Sequence, residues 1–208
     1  MVMRMDALFV HGMGRSPFSG LPMLLRLKQA GIRTHSYGYS VSLRSFAAIQ
    51  RGLQARVSEV AARGEYVLIG HSLGGVLIRA VLQNLPPAAA APRRVFLLGS
   101  PLQASQLAGR LSRNCLFQIA TGDCGQLLAS AQRMAAIAIP SLPLTSIVGI
   151  SGPTGVLSPF GDELNDGVVS LSEVSSAQIG DQVRVPVLHT LQPVSLRIAG
   201  IILERLEI

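Results

Sequence analysis

At 208 residues, 49% hydrophobic and 14% charged, the chain is too apolar for disorder and long enough to bury a full core. Its formal charge of +7 comes from scattered arginines, with Lys28 the only lysine and Arg93-Arg94 the longest basic run. No aromatic residues interleave with these bases and no helix or stripe collects them, which argues against nucleic acid as a partner. The positive field suits contact with anionic lipid or acidic substrates.

In chain order, Met1-Val2-Met3-Arg4-Met5-Asp6 leads directly into an apolar run. Asp6 interrupts it, and no long apolar stretch with a cleavage site comes after it, so it does not read as a signal peptide. Short β-type runs are expected at residues 7–10, 33–39, 66–70, 95–99, 144–150 and 183–188. Helical patterns fall at 21–30, 45–63 and 75–85, with a longer helical region at 103–139. A last helix is expected to start with Pro193 in its first turn and run to Leu206, its apolar face made by Val194, Ile198, Ile201, Ile202 and Leu206. Strand alternating with helix predicts an α/β fold, a mainly parallel sheet of about six strands covered on both faces.

Two low-complexity stretches, 86–92 and 151–161, are expected as loops. The β/α alternation continues across both, so residues 1–208 are expected to form a single domain. The apolar run 135–150 is broken by Pro140 and Pro143 and is too short to span a bilayer. Together these features point to a soluble, cytoplasmic protein. Cys115 and Cys124 are the only cysteines, and free thiols are expected in preference to a bridge.

Ligand sites in open α/β sheets sit beyond the carboxyl ends of the strands, so chemistry is expected at those ends. The first run ends in Val10-His11-Gly12-Met13-Gly14, a glycine-flanked turn able to present the Met13 backbone N–H. The third ends in Gly70-His71-Ser72-Leu73-Gly74, between the apolar run Tyr66-Val67-Leu68-Ile69 and an apolar helix. G-x-S-x-G alone arises by chance about 0.2 times at this length and composition, so the flanks carry the argument. A serine at a sharp strand-to-helix turn is a nucleophile elbow. With Met13, the N–H of Leu73 would form an oxyanion hole.

A serine hydroxyl needs an imidazole to accept its proton. The chain has 4 histidines: His11 and His71 lie inside the two turns, His35 lies within a strand, and only His189 follows Ser72, just after the last strand. The order nucleophile, acid, histidine makes His189 the base. Acid candidates between them are Asp123, Asp162, Glu163, Asp166, Glu173 and Asp181. Asp123 falls in the long helical region and Asp181 at the wrong end of the last strand. Asp162, Glu163 and Asp166 lie in the loop after the fifth run.

These segments resemble the α/β-hydrolase superfamily, and within it the small bacterial lipases and esterases. The matching pieces are Phe9-Val10-His11-Gly12-Met13-Gly14, Ile69-Gly70-His71-Ser72-Leu73-Gly74-Gly75, Leu98-Gly99-Ser100-Pro101, Asn165-Asp166-Gly167-Val168-Val169 and His189. The resemblance implies Asp166 as the triad acid, ahead of Asp162, an acyl-enzyme on Ser72, no cofactor and no obligatory metal. The chain departs from the family in three respects: no signal peptide, Leu102 where a histidine often follows Gly-Ser-Pro, and no extra antiparallel strands at the N-terminus.

The expected activity is hydrolysis of carboxylic esters, of small molecules or lipids. A thioesterase, amidase or acyltransferase would use the same triad. A non-catalytic binding protein of this fold often loses a triad member, and this chain keeps all of them. Leu107, Leu111, Leu116, Phe117, Ile119, Leu127 and Leu128 in the 103–139 region either line an acyl pocket or pack as ordinary sheet-covering helices.

Overall fold

The computed structural model describes residues 5–86, 89–156 and 158–208. Met1–Arg4, the Pro87-Ala88 part of the first low-complexity stretch and Leu157 of the second lie outside them. Strands β1 (Asp6–Val10), β2 (Arg33–Tyr37), β3 (Tyr66–His71), β4 (Arg94–Leu98), β5 (Leu144–Gly149) and β6 (Asp181–Val185) form one 6-stranded sheet in the order β2-β1-β3-β4-β5-β6. Every pairing is parallel. No antiparallel strand flanks the sheet among the described residues.

The side-chain period of two divides each central strand between two cores. Leu8 and Val10 of β1, with Leu68, Val95 and Leu97, face helices α2 (Phe46–Ala61) and α3 (Leu73–Gln83). Ala7 and Phe9, with Val67, Ile69, Phe96 and Leu98, face α1 (Leu21–Gln29) and α7 (Leu196–Arg205). Chain order reverses between β1 and β3: α1 crosses to β2 on one side, and everything after α2 builds outward on the other. That reversal opens the crevice at the carboxyl ends of β1 and β3, where this architecture places ligands.

The 103–139 region resolves into α4 (Gln106–Leu111), α5 (Cys115–Ala129) and α6 (Ala131–Ala135), with α5 bent at Gly122. Ser105, Asn114 and Ser130 each cap one of these helices by accepting a backbone N–H. Cys115 is exposed and Cys124 buried, both as free thiols.

Three expectations need correction. β2 ends at Tyr37, short of residue 39. β6 spans Asp181–Val185 in place of the run from 183 to 188, because Pro186 lacks the N–H to continue the ladder. Pro193 does not open the last helix. It sits inside a 3₁₀ helix, His189–Val194, and Ser195 caps α7 by accepting the Ile198 N–H. Val194 therefore leaves the apolar face, while Ile198, Ile202 and Leu206 stay buried.

Candidate active site

Ser72 is the single residue between β3 and α3, with φ 52° and ψ −123°. L-residues rarely take this conformation, which costs about 1–3 kcal/mol and persists only where its surroundings impose it. The surroundings here are steric. A Cβ on Gly70 would overlap the Gly75 backbone, and one on Gly74 would overlap the Val10 carbonyl, so strand and helix meet only without side chains there. The Ser72 N–H donates to the Leu98 carbonyl at 2.9 Å, tying the turn to β4.

The turn after β1 lies against this elbow: a Cβ on Gly12 would stand 2.9 Å from His71 Nδ1 and 3.0 Å from Ser72 Cβ. His11 is buried and stacks on Tyr39, with centroids 4.2 Å apart and planes 8° from parallel. The Tyr39 backbone N–H donates to His11 Nε2 at 3.3 Å, so the ring proton belongs on Nδ1, 2.8 Å from the Gly12 carbonyl that accepts it. Burial lowers the His11 pKa and keeps the ring neutral. In a trans peptide, a Gly12 carbonyl held towards His11 turns the Met13 N–H the opposite way. Among the described residues, neither the Met13 nor the Leu73 N–H is bonded to an acceptor.

Asp166 and His189 come from two different loops. Asp166 is 1% exposed and His189 6%. Asp166 Oδ1 accepts the Val168 and Val169 N–H groups at 3.0 and 2.9 Å. Oδ2 accepts His189 Nδ1–H and Gln192 Nε2–H, each at 2.7 Å. Each carboxylate oxygen thus accepts two donors, which fixes the carboxylate's orientation. The His189 backbone is held on both sides: its N–H donates to the Asp166 carbonyl at 2.9 Å, and its own carbonyl accepts from His71 Nε2–H at 3.0 Å. His71 therefore links the elbow to the histidine loop, with the two imidazole centroids 4.8 Å apart. Burial, followed by the neighbouring His189, holds the His71 pKa well below its ordinary value. Ser72 Oγ makes no hydrogen bond to the His189 ring among the described residues.

The structure thus brings Met13, Ser72, Leu73, Asp166 and His189 to one crevice. The other acids are occupied elsewhere. Asp123 accepts the Phe46 N–H and pairs with Arg133, and Asp181 binds Thr145 and Arg205. Glu163 accepts the Ser172 N–H, Glu173 accepts the Ser170 N–H, and Asp162 is exposed. His35, within β2, binds the buried Asp6 at 2.6 Å, alongside Arg33.

A cavity of about 80 Å³ opens beside Ser72, walled by Met13, Leu107, Leu111, Phe117, Leu128 and Val169. Leu127 packs in the core, while Leu116 and Ile119 are more than 70% exposed and line nothing. The buried Arg79 guanidinium donates to the carbonyls of Pro101, Leu102, Ile137 and Ala138. It thereby pins the turn after β4 to the segment after α6. Burial lowers its pKa to about 10.

Gln192 is the residue that sequence reasoning missed. The only available signal was its place three residues after His189, which matters in a 3₁₀ helix and was invisible without one. No group of three or more His, Cys, Asp or Glu side chains among the described residues is placed to hold a metal, and no helix there is long and apolar enough to cross a membrane.

A model described as "Alpha/beta hydrolase family" matches residues 7–187. No curated protein matches the sequence. Among solved structures, the mature lipase BlEst2 of Bacillus licheniformis superposes with a TM-score of 0.73 at 16% identity, over 99% of this chain and 93% of that one. The metagenomic carboxyl esterase MGS0156 gives 0.70 at 17% identity, over 91% and 65%. RedJ, a thioesterase from the prodiginine biosynthetic pathway of Streptomyces coelicolor, gives 0.64 at 14% identity, over 97% and 88%.

Proposed function

The chain belongs to the alpha/beta hydrolase family, and from that premise we propose that it is a serine hydrolase of carboxylic esters with short acyl groups. The observation that carries this reading is the buried His189–Asp166 hydrogen bond, held next to the strained Ser72 turn by the bond from His71 to the His189 carbonyl.

In this reading Ser72 Oγ attacks the ester carbonyl carbon as His189 Nε2 takes its proton. Asp166 fixes the Nδ1–H tautomer and stabilises the imidazolium that forms. The Met13 and Leu73 N–H groups receive the oxyanion, each worth about 3–4 kcal/mol of barrier. His189 then returns the proton to the departing alcohol, and water resolves the acyl-enzyme by the same steps in reverse. The contact between Ser72 and His189 tightens when substrate fills the crevice, since such bonds are often long without it.

The acyl cavity sets the substrate size. A cavity of about 150 Å³ holds a six-carbon benzene ring. The 80 Å³ here is about half of that and matches an acyl chain of about three or four carbons. The test is an acyl series of p-nitrophenyl esters with Ser72→Ala as control. Turnover should peak at the short end, and Ser72→Ala should abolish it without unfolding the protein. A fluorophosphonate should label Ser72 in the wild type. Retained turnover in Ser72→Ala would sink the assignment, and acyl-CoA substrates in the same panel report the leaving-group preference.

A further inference from the structure

We propose that Gln192 is a positioning residue for the reaction, one that holds the oxygen of Asp166 on which His189 depends. The inference rests on the triad reading above. His189 and Gln192 stand at i and i+3 of the 3₁₀ helix His189–Val194, and in a helix of three residues per turn such side chains project on one line. Both reach the same atom, Asp166 Oδ2, at 2.7 Å.

The rest of the fold makes room for this amide. Gly99, at the end of β4 with φ 51°, lies where a Cβ would stand 2.6 Å from Gln192 Nε2, 2.8 Å from Asp166 Oδ2 and 3.0 Å from His189 Nδ1. Gly149, at the end of β5, would put a Cβ 2.9 Å from Gln192 Nε2 and 2.8 Å from Asp166 Cβ. Gln192 itself is 0% exposed. Its Oε1 is buried without a partner among the described residues. An apolar side chain of the same volume would leave no such orphan, so packing alone does not explain a glutamine. What the amide supplies is a donor to the carboxylate, and the carboxylate fixes its orientation: the NH2 end must face Oδ2.

The arrangement has a direct consequence for His189. With Oδ1 already tied to two backbone N–H groups, Gln192 stops Oδ2 from following the imidazole as it gains and loses its proton. The other charged or titratable groups around His189 are His71, on its carbonyl, and Arg15, whose guanidinium donates to the Thr190 carbonyl at 2.8 Å. Neither contacts Oδ2.

The test compares Gln192→Met, of similar volume with no donor, and Gln192→Glu with the wild type on a short-chain ester. Gln192→Met should lower kcat about tenfold with KM within about twofold, since a hydrogen bond to a charged group is worth at least that factor. Gln192→Glu donates like glutamine while protonated and repels Asp166 once ionised. It should therefore hold activity on the acid side and show an alkaline loss that the wild type lacks. A wild-type kcat in Gln192→Met overturns the proposal. So does an equal loss in both variants at every pH, the mark of a merely structural role. If Ser72→Ala is inactive while the Gln192 variants behave as wild type, this proposal alone fails. If Ser72→Ala turns over, the hydrolase reading falls with it.

Discussion

Replacing Asp166 with asparagine changes one atom's chemistry, and the hydrogen bonds around it dictate the response. Oδ1 accepts two backbone N–H groups, so the asparagine oxygen must stay there and its NH2 must take the place of Oδ2. That NH2 then faces two donors, His189 Nδ1–H and Gln192 Nε2–H, both now at 2.7 Å. Each clash has a cheap escape. Gln192 flips its amide, giving its unpartnered Oε1 an N–H to accept. His189 moves its proton to Nε2 so that Nδ1 becomes the acceptor. The flip only moves the unpaired atom of Gln192 from Oε1 to Nε2, so the melting temperature should shift by only about 2–4 °C, equivalent to about 1 kcal/mol. Catalysis does not survive the same rearrangement, because the nitrogen facing Ser72 now carries a hydrogen and cannot accept another. The wrong tautomer at a triad histidine costs about 10⁴ in kcat, or about 5 kcal/mol of barrier. Steady-state hydrolysis of a p-nitrophenyl ester, read beside a thermal melt, checks both numbers. A kcat within about tenfold of wild type, with the fold intact, would refute the tautomer argument.

Phe117→Ala should enlarge the acyl cavity and move the preferred ester towards longer chains, read as kcat/KM along the acyl series. Gly74→Ala should cost about 3 kcal/mol, because its methyl meets the backbone of β1, which cannot give way; the melt should fall by roughly 10 °C. His11 and His71 both have folded pKa values lowered by burial. The unfolded chain therefore binds more protons below their ordinary pKa of about 6.5. Stability is fully present above that pH and declines as pH falls, by up to about 1.4 kcal/mol per pH unit for each ring. Melts between about pH 6.5 and 5.5 should show this slope, and His71→Gln, which cannot titrate, should flatten it.

The strands that run through the middle of the sheet were legible because burial on both faces leaves continuous apolar runs, such as Tyr66-Val67-Leu68-Ile69. Legibility faded at the edges, where β2 reads Arg-Thr-His-Ser-Tyr and β6 starts on Asp181, residues whose partners are side chains from elsewhere in the chain. The elbow could be read because its glycines are a local steric requirement. His189 could be singled out because no other histidine follows Ser72. Gln192 could not, since its role depends on a 3₁₀ helix that neither periodicity nor capping announced. The Pro193 misreading has the same root: proline fits the first turn of an α-helix and a 3₁₀ turn about equally well.

The sheet edges have a consequence for the molecule in bulk solution. With no antiparallel flanks among the described residues, β2 and β6 each expose one row of backbone groups, the template on which chains stick to one another. Charge stands by both rows: Arg33 of β2 reaches solvent while pairing with the buried Asp6, and Arg94 and Arg205 pair with the part-exposed Asp181 of β6. The part-exposed pairs on Asp181 contribute little to folding strength, so stripping Arg94 and Arg205 should show first as molecules adding strand to strand and lost solubility, ahead of any loss of fold, whereas the buried Asp6 needs its partners for the fold itself.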